Sequence, residues 1–122
     1  MVNKYSPLLT DHFMNPRNIG RLTDYTFKVE SDHLKDGDQI VFYVDLENGR
    51  VKDISYKIQG CPRVIAASSF TSELVKGKTI SEVLEIKEDA IAERLGITDP
   101  SFVCIRLPLA TLQRKLKEYV SG

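Results

Sequence analysis

Residues 58–77 read I-Q-G-C-P-R-V-I-A-A-S-S-F-T-S-E-L-V-K-G, the end of an apolar strand that turns through Gly60-Cys61 into a helix. Pro62 suits the first helical position, where its missing N–H is no loss and its φ is already helical. Val64, Ala67, Thr71, Leu74 and Val75 then recur at helical spacing, and Gly77 suits the left-handed residue that closes a helix. Cys61 therefore falls on a strand-to-helix turn, beside the positive end of the helix, which favours thiolate over thiol. A thiolate binds metals and attacks sulfur. A cysteine without further partners is more often an inert core residue, so the rest of the chain decides.

Upstream, residues 39–47 alternate Ile40, Phe42, Val44 and Leu46 with Val41, Tyr43 and Asp45, as a strand with one better-buried face requires. Asn48-Gly49 follows, the strongest short hairpin signal, and residues 51–59 return with Ile54, Tyr56 and Ile58 on one face. Phe27 and Val29 suggest an earlier strand. At the start, Ser6-Pro7 caps a short helix through Leu8, Leu9 and Phe13, which Pro16 stops, and His12 within it reads as a packed or surface histidine.

Downstream, Thr79-x-x-Glu82 is a capping box opening a helix through Val83, Leu84 and Ile86. Residues 89–95 form another, closed by Gly96. The last helix carries Leu109, Leu112, Leu116 and Val120 on one face, with Pro108 tolerable only in its first turn. Cys104 sits just before that helix or at its beginning. Strands followed by helices predict an α+β fold with helices packed on one face of an antiparallel sheet.

The chain has 122 residues, 42% of them hydrophobic, which predicts one domain over residues 1–122 with a single core. Lys plus Arg and Asp plus Glu both number 17, a balance without the basic excess of a nucleic-acid footprint. No apolar run approaches the ~20 residues of a membrane span. The opening M-V-N-K-Y-S-P lacks the apolar core of a signal peptide, so the expected location is cytoplasmic. Disulfides are rare there, which leaves Cys61 and Cys104 as thiols for metal or sulfur chemistry, or as core residues.

Asp36-Gly37-Asp38 precedes the long strand, and pairing about the Asn-Gly turn brings position 38 close to positions 59 to 61. Cys104 can join them from a helix end. Two carboxylates and two thiolates make a plausible four-ligand site for zinc or iron, while spacing alone favours a surface turn with two buried thiols. There is no H-E-x-x-H, G-x-S-x-G or phosphate-loop motif, so no enzyme is predicted.

The chain resembles the IscU/NifU-type iron–sulfur cluster assembly scaffolds. The resemblance rests on D-H-F-M-N-P-R-N-I-G at residues 11–20, D-G-D at 36–38 and G-C-P-R-V-I-A-A-S-S at 60–69. V-K-G-K-T at 75–79 and C-I-R-L-P at 104–108 continue it. It implies a three-stranded sheet with the site at one end. It also implies a scaffold that takes sulfur from a cysteine desulfurase as a persulfide, builds a transient [2Fe-2S] cluster with iron and passes it to recipient apoproteins. Family sites use three cysteines and an aspartate. The second and third cysteines match Cys61 and Cys104, the latter the candidate persulfide acceptor, the aspartate matches Asp38, and the first cysteine falls at Asp36.

The chain departs from the family elsewhere. Val103 stands where many members carry His or Lys. The Leu-Pro-Pro-Val-Lys motif for a dedicated Hsp70-type chaperone is replaced by Ile97-Thr98-Asp99-Pro100-Ser101, which predicts weak or absent docking. The insertion of the zinc-dependent sulfur-transfer branch is not evident.

The first expectation is therefore a scaffold holding a labile cluster through Asp36, Cys61, Cys104 and Asp38. The second is a degenerate paralogue that binds one zinc or iron ion or relays sulfur. The third is a metal-free desulfurase-binding module.

Overall fold

The alternation over residues 39–59 is realised as a hairpin of β2 (Gln39–Glu47) and β3 (Arg50–Gln59). Its turn holds Asn48 at φ 54° and Gly49 at φ 74°, a left-handed pair that asparagine and glycine accept most readily. β1 (Phe27–Glu30) adds to β2, giving an antiparallel three-stranded sheet in the order β1-β2-β3. This is a computed structural model, and it describes residues 6–31, 39–97 and 103–121.

Register assigns the two faces. Ile40 pairs with Ile58, Phe42 with Tyr56 and Val44 with Ile54, and β1 contributes Phe27 opposite Val44 and Val29 opposite Phe42. This face is the floor of the core; Ile40, Phe42 and Tyr56 have no exposure at all. Burying an aliphatic or aromatic side chain of this kind stabilises by about 1.5–3 kcal/mol. Tyr43 points to the other face yet is also buried, because Tyr25 meets it edge-on at 5.3 Å.

Five α-helices lie among the described residues: α1 (Pro7–Met14), α2 (Pro62–Val75), α3 (Ile80–Glu85), α4 (Glu88–Leu95) and α5 (Leu107–Ser121). A single 3-10 turn, Val103–Ile105, leads into α5. The anticipated caps are present. Ser6 Oγ accepts from Leu9 N–H, Thr79 and Glu82 form both bonds of the capping box, and Gly96 closes α4 at φ 76°. α2 contacts β3 and α5 contacts β1, so both lie over the apolar face of the sheet. No helix among the described residues is long and apolar enough to cross a membrane.

The outer edge of β3 is covered at two points. Tyr56 N–H donates to the Asn18 carbonyl at 3.2 Å and Gly20 N–H to the Tyr56 carbonyl at 2.8 Å. Farther along, Gly77 N–H donates to the Val51 carbonyl and Val51 N–H to the Lys78 carbonyl. An edge that would otherwise template pairing with another chain is thereby used.

One expectation fails on α5. Leu109, Leu112 and Leu116 are buried, but Val120 is 56% exposed. Tyr119 is exposed beside it, so the final turn runs past the core that its periodicity seemed to continue into. Asp36, Asp38 and residues 98–101 lie outside the described residues.

Candidate functional site

The hairpin register ends at Gln39 opposite Gln59, and two residues later Cys61 is the N-cap of α2. Its backbone is extended, at φ −74° and ψ 165°, and its carbonyl accepts from Val64 and Ile65 N–H. Pro62 at the first helical position has no N–H to satisfy. The Cys61 side chain does not cap the helix. Its sulfur instead lies 3.9 Å from the Cys104 sulfur.

Cys104 comes from the 3-10 turn before α5, so the pair joins the entries of two helices 43 residues apart. Cys104 is buried, at 7% exposure, among core residues that include Ile105 and Leu109, whereas Cys61 is half-buried. Burial pushes the Cys104 thiol up to about 11. The Arg63 guanidinium opposes that rise by hydrogen bond and charge, and Cys61 adds to it. A metal ion binding here must displace the Cys104 proton, so affinity rises with pH.

The sulfur separation is that of an ordinary S–H···S contact, and it is also compatible with two ligands of one metal ion. Two thiolates at about 2.3 Å from one tetrahedral ion lie about 3.8 Å apart, the edge length of that tetrahedron. The observed 3.9 Å matches this edge. Among the described residues no group of three His, Cys, Asp or Glu side chains converges to hold a metal, and Cys61 and Cys104 are the pair of soft donors brought together here.

A second polar cluster lies two turns farther along α2, and sequence reasoning missed its organisation. Ser69 is fully buried, and its Oγ accepts from Arg17 N–H at 2.8 Å. The same oxygen lies 2.7 Å from His12 Nδ1. With the Arg17 N–H on one lone pair, the Ser69 hydroxyl keeps a second lone pair and its hydrogen, so it can pair with either tautomer of His12. His12 Nε2 then faces Glu73 Oε1 at 3.6 Å. Arg17 also donates to Asp11 at 2.7 Å, and Asn18 Nδ2 donates to Ser72 Oγ at 3.0 Å.

Of the packed or surface histidine expected, His12 is the packed form, 1% exposed and edge-on to Phe70. Burial, aided by Arg17, lowers its affinity for a proton, against the opposing pull of Glu73 and Asp11. The Arg17 guanidinium beside Asp11 holds that carboxyl below the usual range. Burial raises the Tyr56 phenol beneath the cluster. The available sequence signal was Ser68-Ser69 following the apolar run at residues 64–67, where a buried hydroxyl needs a partner from elsewhere.

The NifU-like N terminal domain family matches residues 4–121. The "Iron-sulfur cluster assembly scaffold protein IscU 1" of Archaeoglobus fulgidus is 37% identical over 116 residues, covering 94% of this chain and 76% of that protein. The "Iron-sulfur cluster assembly scaffold protein IscU" of Aquifex aeolicus is 36% identical over 120 residues, covering 96% and 76%. The crystal structure of a putative SUF-system scaffold protein from Fervidobacterium islandicum superimposes with a TM-score of 0.77 at 21% identity, over 92% of this chain and 96% of that one, and so shares the fold. With a match over nearly the whole chain, this protein belongs to the NifU-like N terminal domain family.

Proposed function

We propose that this single-domain protein is an iron–sulfur cluster assembly scaffold rather than an enzyme, with Cys61 and Cys104 as the sulfur donors that hold its cargo. The observation that carries the reading is the 3.9 Å sulfur pair, which matches an edge of a tetrahedral metal site. The names of relatives 36–37% identical to it support the same activity. Asp36 and Asp38 supply the remaining ligands in this proposal, with Asp36 in place of a third thiolate. Sulfur arrives from a cysteine desulfurase with Cys104 as acceptor, and the [2Fe-2S] cluster leaves for recipient apoproteins. Neither cysteine is in a disulfide, which leaves both thiols for ligation. A dedicated Hsp70-type chaperone is a weak partner.

A single zinc or iron ion is the second reading, because the same sulfur edge fits one tetrahedral ion equally well. Anaerobic incubation with iron, cysteine and a desulfurase separates the two. A scaffold gains visible absorbance together with acid-labile sulfide and iron in comparable amounts. Metal without sulfide selects the mononuclear site, and neither metal nor sulfide rejects both readings.

A further inference from the structure

The geometry points to Cys61 and Cys104 as a reversible dithiol–disulfide couple, with Cys61 the entry thiol and Cys104 the resolving thiol, whose oxidation closes the metal-holding edge. The couple stands on the sulfur geometry; its consequence for metal rests on the reading given under Proposed function.

These are the only two cysteines in the chain, so an intramolecular disulfide can join no other pair. Their sulfurs are already in contact at 3.9 Å, and a bond of about 2.05 Å requires them to approach by about 1.9 Å. Cys61 is well placed to make that movement. It precedes the first turn of α2 and follows Gly60, a residue without a side chain to hinder the adjustment. The two thiols also differ in access. Cys61 is half-buried and Cys104 is 7% exposed, the arrangement of a reachable thiol with a sheltered partner behind it.

The oxidant is a low-molecular-weight disulfide, RSSR. The Cys61 thiolate attacks one sulfur of RSSR, the S–S bond breaks, and RS⁻ leaves with the bond's electron pair. A mixed disulfide, Cys61–S–S–R, remains. Cys104, losing its proton to solvent, attacks the Cys61 sulfur and expels the second RS⁻. The sum is two protein thiols plus RSSR giving one protein disulfide plus two RSH, so two electrons pass from the cysteines to the oxidant. In the product neither sulfur is a thiolate, and the thiolate is the form that ligates metal. One event therefore removes both sulfur donors, and a reducing thiol restores them.

The test uses the full chain, oxidised glutathione as RSSR, and zinc as the metal probe. Intact mass after incubation should show loss of two hydrogens and no lasting adduct. Cys104→Ser should stop at one glutathionyl group on Cys61, and Cys61→Ser should react far more slowly, its remaining thiol being the sheltered one. Two glutathionyl groups on the parent chain, or equal reactivity of the two variants, would overturn the couple or its order.

Zinc titrations of reduced and oxidised protein then read the consequence. Binding by the reduced form, loss on oxidation and recovery with dithiothreitol support it. Equal binding by both forms overturns it. If the reduced protein binds no zinc, the site reading has failed, and the mass measurements still judge the couple on its own.

Discussion

Helix α2 carries two polar clusters, and they are built to opposite rules. Around Ser69 the bonds run within the chain: His12 and the Arg17 N–H meet Ser69, Asn18 reaches Ser72, and these serines are sealed from solvent, though Arg17 Nη1 and the Ser68 hydroxyl are left without partners among the described residues. At Cys61 the helix cap is left to the backbone, one sulfur is half-buried, and the other is buried deeply enough to resist ionisation. A network of buried hydrogen bonds fixes geometry, and here it clips the N-terminal segment to α2 and so to the edge of β3. A partly open pair of soft donors is suited to receiving something from outside. In the proposed function, the same helix thus holds the fold with one cluster and offers ligands with the other.

If that division is right, substitutions at the two clusters should fail in different measurements. The largest effect belongs to Cys61→Ala. Losing a ligand should weaken zinc binding beyond the 10–100-fold typical of changes around a metal's ligands, while the urea midpoint moves little. Similar binding by Cys61→Ala and the parent chain would erase the contrast. Asp36→Cys should act in the opposite direction, lengthening the life of a reconstituted cluster under a chelator several-fold, because such clusters are normally held by thiolates. An unchanged decay would put position 36 outside the ligand set.

The sealed cluster should respond in stability instead. Ser69→Ala removes the partner of both the Arg17 N–H and His12 Nδ1, and should cost about 2–3 kcal/mol in urea unfolding with zinc affinity retained. Ser68→Ala is the sharper control. The Ser68 hydroxyl is fully buried and has no hydrogen-bond partner among the described residues, so its removal should be neutral or stabilising. Equal losses at the two serines would mean that the hydrogen bonds at Ser69 contribute nothing.

Acid should find the same cluster more gently. Burial lowers His12 below its ordinary 6.5, so the unfolded chain takes up a proton before the folded one does. Stability from neutral His12 is complete above the ordinary value and declines as pH falls below it. His12→Gln should flatten that part of the stability–pH curve. An unaltered slope in the variant would remove His12 as the cause.

Local chemistry made much of the fold legible before any coordinates. Asn48-Gly49 dictated the hairpin, Thr79 and Glu82 the start of α3, Pro62 the start of α2, and Gly96 the end of α4. Each is a signal confined to a few neighbouring residues. Val120 was misread because periodicity reports which way a helix faces, not where the core beneath it ends. The partners of Ser69 stayed hidden because His12 and Arg17 are more than fifty residues away along the chain. Cys61 could be placed at the site end of the sheet from hairpin register, but its meeting with Cys104 depends on how α5 docks, which no local pattern encodes.

The central claim is that Cys61 and Cys104 grip one metal ion together. X-ray absorption at the zinc edge of the zinc-loaded protein tests it directly by counting sulfur neighbours. The account predicts two sulfurs per zinc at about 2.3 Å, with oxygen or nitrogen ligands completing the shell, and one sulfur after either cysteine is changed to alanine. A parent spectrum with one sulfur or none, or one that survives loss of Cys104 unchanged, would contradict it.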